Sequence, residues 1–469
     1  MSHEHTAVRV FRGIPYAAPP VGPLRWRPPQ PAPPWDGRSD VTRFGADPIQ
    51  LNEPGRDSRA PGMSEDCLTL NIWAPSEPPV GGAPVLVWFD GGGFTACSAA
   101  KAQTDGARFA QAGAILVSAN YRVGAFGFLA HPALTAESPH GAAGNYGLLD
   151  ALAALRWVRE NVAAFGGDPA RITAFGESAG AALVALLMTS PLAGGAFDRA
   201  ILQSPGSFRP LCTLAEAEAA GGGAGSSLAE LRALAPDAVL ALNGKIGPAV
   251  RGLTVGRPLR PIVDGWSIVT DEARAFRSGA VAAVPAIVGT NADEGRYFAA
   301  GIPVADRAAL RRYLEANFGA EAEEAWSHYG CSDDSGAAAG ARAAFADAQF
   351  NYGARELARA IARRGRAYRY VFAHAPVAAA APTHTDEIAY VFGTGAFEAR
   401  ERAISDALLT AWVRFAGCGD PNGPGLDGWE PYDPVRDNDL RIDASPAAAA
   451  DWRRAPLDFI ERFYAARGL

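Results

Sequence analysis

The 469-residue chain has little of what holds metals or builds covalent frameworks: five cysteines, seven histidines and three methionines. Cys67, Cys97, Cys212, Cys331 and Cys418 show no C-x-x-C spacing, so zinc and dithiol chemistry lack a frame, and mostly buried thiols are expected. With few soft ligands, and with His3 and His5 in a polar amino-terminal tail, neither a metal site nor an organic cofactor is expected. Clustered positive charge is missing too. The formal net charge is −7 and the arginines are scattered among acids, which argues against nucleic acid or an anionic membrane as the main partner. No run approaches the about eighteen consecutive apolar residues of a membrane span. The opening MSHEHTAVRVFRGIPYA has neither a basic n-region nor an apolar stretch of signal-peptide length. A soluble, cytoplasmic protein, monomeric or homodimeric, is the expectation.

What is present is apolar material for a large core, 48% of residues against 20% charged. Residues 1–40 are Pro-rich and read as extended segments that pack through Trp26 and Trp35. After them, strands are predicted at Thr69–Trp73, Pro84–Phe89, Ala114–Ala119, Arg171–Phe175, Arg199–Gln203, Ala286–Gly289 and Tyr368–Phe372. Helices are predicted at Gly147–Phe165 and Ala179–Thr189. This alternation predicts an α/β fold with a large, mainly parallel sheet covered on both faces. Residues 1–469 are read as one elaborated unit. The looser stretches 207–264 and 296–365 are read as variable or cap regions, the first with a flexible tract around Gly221, Gly222, Gly223 and Gly225.

The segment FGESAG, with Ser178 at its centre, fits the G-x-S-x-G nucleophile elbow between a predicted strand and a predicted helix. Gly176 and Gly180 lack a Cβ, which lets strand and helix approach while Ser178 takes a strained conformation. A serine hydroxyl needs a base, and the base an acid. Where the order is serine, acid, base, only His328, His374 and His384 remain after Ser178, and His384 in the polar loop PTHTDEI is best placed. Asp293 and Glu294 both follow the strand Ala286–Gly289, and spacing alone leaves the acid open between them. Gly91, Gly92 and Gly93 follow the strand Pro84–Phe89 and can aim backbone amides at an oxyanion, with Ala179 supplying a further amide. A phosphate-cradling loop is the competing reading of these glycines, but no Lys-Ser/Thr pair follows at the required spacing.

With FRGIPYAAPPVGPLRW (11–26), SEDCLTLNIW (64–73), GGGF (91–94), NYRVGAFGFL (120–129), GNYGLLD (144–150), FGGDPARITAFGESAG (165–180), DEG (293–295), HTDEIAYVFG (384–393) and GDPNGP (419–424), the chain resembles the type-B carboxylesterase family. That family includes bacterial para-nitrobenzyl esterases and the cholinesterases. The resemblance implies an α/β-hydrolase fold that hydrolyses small-molecule esters. It also implies Ser178 as nucleophile, Glu294 as acid, His384 as base, and the amides of Gly92, Gly93 and Ala179 as oxyanion hole. It further implies ion pairs Arg25–Glu65 and Arg122–Asp168, and a supporting role for Ser204 beside the triad, with Glu177 next to the nucleophile.

Three departures qualify what carries over. Asp90 stands where a His or Tyr usually precedes the glycines. Pro48 occupies a usual half-cystine position, so Cys67 is expected to be a free thiol. The segment after Ser204 is shorter than in cholinesterases, so their acyl pocket does not transfer. Phe208 and Arg209 fall near that pocket, and with Arg251, Arg257 and Arg260 they suit an acyl group bearing a carboxylate. Alternatives to ester hydrolysis are a carbamate or amide hydrolase, an acyltransferase using the same triad, and a non-catalytic binding protein on this fold.

Overall fold

The computed structural model describes residues 8–34, 40–51, 57–225, 227–246, 253–375, 381–426 and 428–468. Its strands in chain order are β1 (Val8–Pro15), β2 (Asp47–Pro48), β3 (Met63–Ser64), β4 (Thr69–Pro75), β5 (Ala83–Phe89), β6 (Ile115–Ala119), β7 (Gly167–Glu177), β8 (Arg199–Gln203), β9 (Ala286–Asn291), β10 (Ala367–Phe372), β11 (Asn438–Ile442) and β12 (Ala447–Ala450). Ten of them form one sheet in the order β1-β4-β6-β5-β7-β8-β9-β10-β11-β12, and β2 and β3 pair separately. Neighbours from β6 through β11 are parallel. The margins at β1, β4 and β12 are antiparallel. This is the mostly parallel sheet of an α/β-hydrolase fold.

Alternation along the strands explains why both faces are buried. Val85, Val87 and Phe89 enter one core, with the helices Tyr146–Asn161 and Ala179–Thr189 packed on it. Leu86 and Trp88 enter the other, under the helices Asp386–Phe392 and Ala399–Cys418. Such strands read as unbroken apolar runs, which is how those at Pro84–Phe89 and Arg199–Gln203 were legible. The chain leaves β5 for β6 on one side and returns to β7 on the other. That reversal opens a crevice at the C-terminal ends of β5 and β7, the place where open α/β sheets build their sites.

Several expectations need correction. The Pro-rich opening contains an edge strand, β1, whose register follows β4 from Val8 opposite Pro75 onward. Trp26 is buried and donates its indole N–H to Ala125 O at 2.8 Å, whereas Trp35 lies outside the described residues. The expected flexible tract is helical through Leu214–Gly221 and Gly222–Ala224. Gly221 is small because its helix presses on the chain at Ala130, whose carbonyl oxygen would lie 2.0 Å from an added Cβ. Arg25 pairs with Glu65 as expected, Nε to Oε2 at 2.7 Å. Arg122 does not pair with Asp168: it grips Asp150 on the helix Tyr146–Asn161 at 2.7 and 2.8 Å, while Asp168 binds Arg171 at 2.6 Å. Cys67, Cys97 and Cys212 are buried free thiols, but Cys418 is exposed. Among the described residues, no helix is long and apolar enough to cross a membrane.

Candidate active site

β7 ends at Glu177, and the helix after it starts at Ala179, so Ser178 carries the whole reversal at φ 55° and ψ −120°. A non-glycine residue there is strained, and the surroundings hold it in place. Ser178 N donates to Gln203 O at 2.9 Å. An added Cβ on Gly180 would sit 1.9 Å from Phe89 O, and one on Gly176 would sit 2.6 Å from the same oxygen. The two glycines are what let β7, its helix and the end of β5 close together.

The candidate acid and the candidate base come from strands farther along the sheet. Glu294 follows β9, and His384 precedes the helix Asp386–Phe392 after β10. Asp293 N donates to Pro382 O at 2.9 Å, and Thr383 Oγ1 donates to Asp293 O at 3.0 Å, so the two loops are laced to each other. Asp293 and Glu294 differ in what they face. His384 Nδ1 is 2.6 Å from Glu294 Oε2, whereas the Asp293 carboxylate turns to Arg296. Of the other two candidate bases, His328 sits in the helix Ala322–Tyr329 against Phe459, and His374 faces Glu401 and Asp443.

Glu294 is fully buried, and its other oxygen accepts from Ser204 Oγ at 2.6 Å and Asn291 N at 2.7 Å, a hydrogen-bond set that keeps a carboxylate in place. Ser204 thus touches the Glu294 carboxylate. On the far side of the imidazole, Nε2 lies 3.1 Å from Glu177 Oε1. Burial pushes the Glu177 carboxyl well above the usual carboxylate range, and Glu387, Glu294 and Asp90 push the same way against His384. Burial by itself would lower His384, but the carboxylates of Glu177, Glu294 and Glu387 outweigh it and raise the imidazole to about 9.

Sequence reasoning missed the polar layer beneath the acid. Glu387 is buried and accepts from Asn291 Nδ2 at 2.5 Å and Gln203 Nε2 at 3.1 Å. Burial pushes it up to about 7, with the charge of Glu294 adding to the shift and the two amides opposing it. The available signal was position: Gln203 and Asn291 are polar residues at the C-terminal ends of apolar strands.

Gly92 and Gly93 adopt φ of 119° and 64°, conformations that glycine takes freely. An added Cβ on Gly91 would lie 2.6 Å from Glu177 Oε2 and 3.0 Å from Ser178 Cβ, so only a glycine loop can lie across the elbow. Asp90 does not face the cleft. Its carboxylate accepts from Lys101 Nζ and Ser98 N, both at 2.9 Å, and its carbonyl accepts from Tyr121 Oη at 2.8 Å. The unusual residue therefore ties the root of the glycine loop to the following segment.

Ser178, His384, Glu177, Gly92, Gly93 and Ala179 line one cleft of about 410 Å³. The stretches 207–264 and 296–365 both contribute walls, the first with Arg209, Arg257 and Arg260, the second with Tyr297, Phe298 and Phe350. Phe208, expected near the acyl group, is buried behind the wall against Phe276 and Tyr352, with its N–H donating to Glu272 Oε2 at 2.7 Å. Arg251 lies outside the described residues.

A model of the Carboxylesterase family matches residues 1–460. The chain belongs to this family. Among similar proteins, the fumonisin B1 esterase of Sphingopyxis macrogoltabida is 45% identical over 442 residues, covering 91% of this chain and 82% of that one. A medium-chain fatty acyl-CoA hydrolase precursor of Anas platyrhynchos is 31% identical over 503 residues, 97% of this chain and 87% of that one. The para-nitrobenzyl esterase of Bacillus subtilis (strain 168) is 36% identical over 307 residues, covering 62% and 60%. This carboxylesterase is a carboxylic ester hydrolase, and its mostly parallel sheet is the family's fold.

Proposed function

We propose that ester cleavage proceeds through an acyl-enzyme on Ser178, with His384 as base, Glu294 as its acid, and the amides of Gly92, Gly93 and Ala179 as oxyanion hole. The observation that carries this reading is the 2.6 Å contact of His384 Nδ1 with a fully buried Glu294, on an imidazole that opens into the cleft lined by Ser178. Glu294 holds the proton on Nδ1, which leaves Nε2 to receive the serine proton. Ser178 Oγ attacks the ester carbonyl, its proton passes to Nε2, and negative charge gathers on the carbonyl oxygen under the three amides. Collapse breaks the C–O bond, and the alcohol leaves with the proton from Nε2. Water then adds to the acyl carbon by the same base, which frees the acid and restores Ser178.

Ser178→Ala should lower ester turnover by about 10⁴-fold or more, with the near-ultraviolet circular dichroism unchanged. A fluorophosphonate probe should label Ser178 in the parent chain, as read by peptide mass. Near-normal turnover by the alanine variant would overturn the assignment. Fumonisin B1, the compound in one relative's name, belongs in the substrate panel.

A further inference from the structure

We propose that the cleft takes esters whose acyl half carries a free carboxylate, bound by Arg209, Arg257 and Arg260. The inference rests on the acyl-enzyme at Ser178 and goes on to name the acyl group.

The first support is charge. The described charged or titratable side chains lining the cleft are these three arginines, Glu177, His384 and Tyr297. A chain of net charge −7 has thus concentrated guanidinium groups at the one place where an ester must bind. Glu177 is engaged elsewhere, its Oε1 lying 3.1 Å from His384 Nε2. All three arginines are half-buried, so a carboxylate would meet them in partly water-excluded surroundings, where charge-assisted, two-point hydrogen bonds are strongest.

The second support is placement. Arg260 Nη2 lies 3.5 Å from where a Cβ on Gly93 would sit, so its guanidinium borders the glycine loop. Arg209 Nη1 is 3.8 Å from the corresponding point on Gly206, two residues past Ser204. The imidazole of His384 stands among aromatic rings, with Phe350, Phe298 and Tyr297 at 4.6, 5.1 and 5.5 Å from it. The departing alcohol takes its proton from His384, so the alcohol half lies toward the imidazole and the rings around it. Arg260 borders the glycine loop under which the carbonyl oxygen would lie, which puts its guanidinium within reach of the acyl half. Each arginine also keeps contacts within the fold, as where Arg260 stands 5.8 Å over the Phe94 ring, and these fix its position on the wall.

The test compares two esters of one fluorescent alcohol with acyl chains of equal length, 4-methylumbelliferyl hexanoate and the mono-4-methylumbelliferyl ester of adipic acid. A third ester moves the carboxylate to the alcohol half. The adipate half-ester should show kcat/KM at least about tenfold above the hexanoate, and added salt should shrink that preference. Free adipate should inhibit competitively. Arg260→Gln and Arg209→Gln should each reduce the half-ester to hexanoate ratio about tenfold, through KM, in protein that still labels with the fluorophosphonate.

Equal or faster turnover of the hexanoate overturns the inference, as does preference for the carboxylate on the alcohol half. So does an equal loss on both acyl chains in the variants, which would mean that the guanidinium groups assist the oxyanion rather than the acyl carboxylate. A chain that labels at Ser178 yet prefers the neutral ester defeats this inference alone. A chain that does not label defeats the acyl-enzyme reading beneath it.

Discussion

On the floor of the cleft, a methyl group on Gly180 would meet a backbone oxygen at 1.9 Å, while on its rim a methyl group on Gly206 would find nothing nearer than 3.8 Å. The two glycines stand for two ways of building a site. The floor, at the ends of β5, β7, β9 and β10, is set by backbone against backbone and by a buried polar layer through Ser204, Asn291, Gln203 and Glu387. The rim, from Gly206 and the stretches 207–264 and 296–365, is set by side chains, guanidinium groups and stacked aromatic rings. Backbone constraints demand particular residues at fixed spacing, so they leave a trace in sequence. Side-chain walls can be built in many ways and leave little.

That contrast explains what could be read beforehand. Ser178, Gly180 and the glycine loop were legible because a strained turn and a close approach allow few alternatives. β8 was legible to the residue because Ala200, Ile201 and Leu202 form an apolar run buried on both faces of the sheet. β11 and β12 were not: Asn438-Asp439-Leu440-Arg441-Ile442 mixes buried charge into a strand, and four alanines suit a helix as well as an edge. The partner of Arg122 was misplaced because Asp150 projects from a helix face, a relation that only the packing of that helix against the segment after β6 defines. Glu387 was not singled out, although it lies in HTDEIAYVFG. Its burial beneath Glu294 depends on two strand ends that meet it from 184 and 96 residues away.

Apart from loss of the nucleophile, the largest effect should come from disturbing the floor at Glu294. Glu294→Gln keeps the size of the side chain but presents an amide to Nδ1, which favours the tautomer with its proton on Nε2, where the base must be free. Turnover should fall about 10³- to 10⁴-fold without loss of fold, measured as kcat/KM beside a thermal melt. A loss of tenfold or less would mean that the buried carboxylate does not orient the imidazole.

The glycines give a direct comparison of floor with rim. Gly180→Ala should cost about 3 kcal/mol of stability, because the backbone oxygen of Phe89 cannot move without displacing β5. Gly206→Ala should change stability by less than about 1 kcal/mol, and in the favourable direction, since the loop loses unfolded-state freedom without a clash. Urea unfolding of both variants reads the difference. Equal costs at the two positions would erase the distinction between a backbone-set floor and a side-chain-set rim.

The smallest effect, and the one most specific to charge, concerns the proton between His384 Nε2 and Glu177 Oε1 at 3.1 Å. Esterolysis needs Nε2 free of a proton, so kcat/KM rises with pH through the titration that empties it. The groups facing the imidazole are Glu177 at the end of β7, Glu294 after β9, and Glu387 on the helix Asp386–Phe392. Against the opposing effect of burial, these carboxylates hold the imidazole at about 9. Glu177→Gln removes the carboxylate nearest Nε2 and keeps the shape of the side chain. With that carboxylate gone the imidazolium is less stabilised, and the acid limb of kcat/KM should move to lower pH by about one unit. A limb that stays in place would mean that Glu177 is already neutral whenever His384 titrates, leaving Glu294 and Glu387 to set the working pH of the floor.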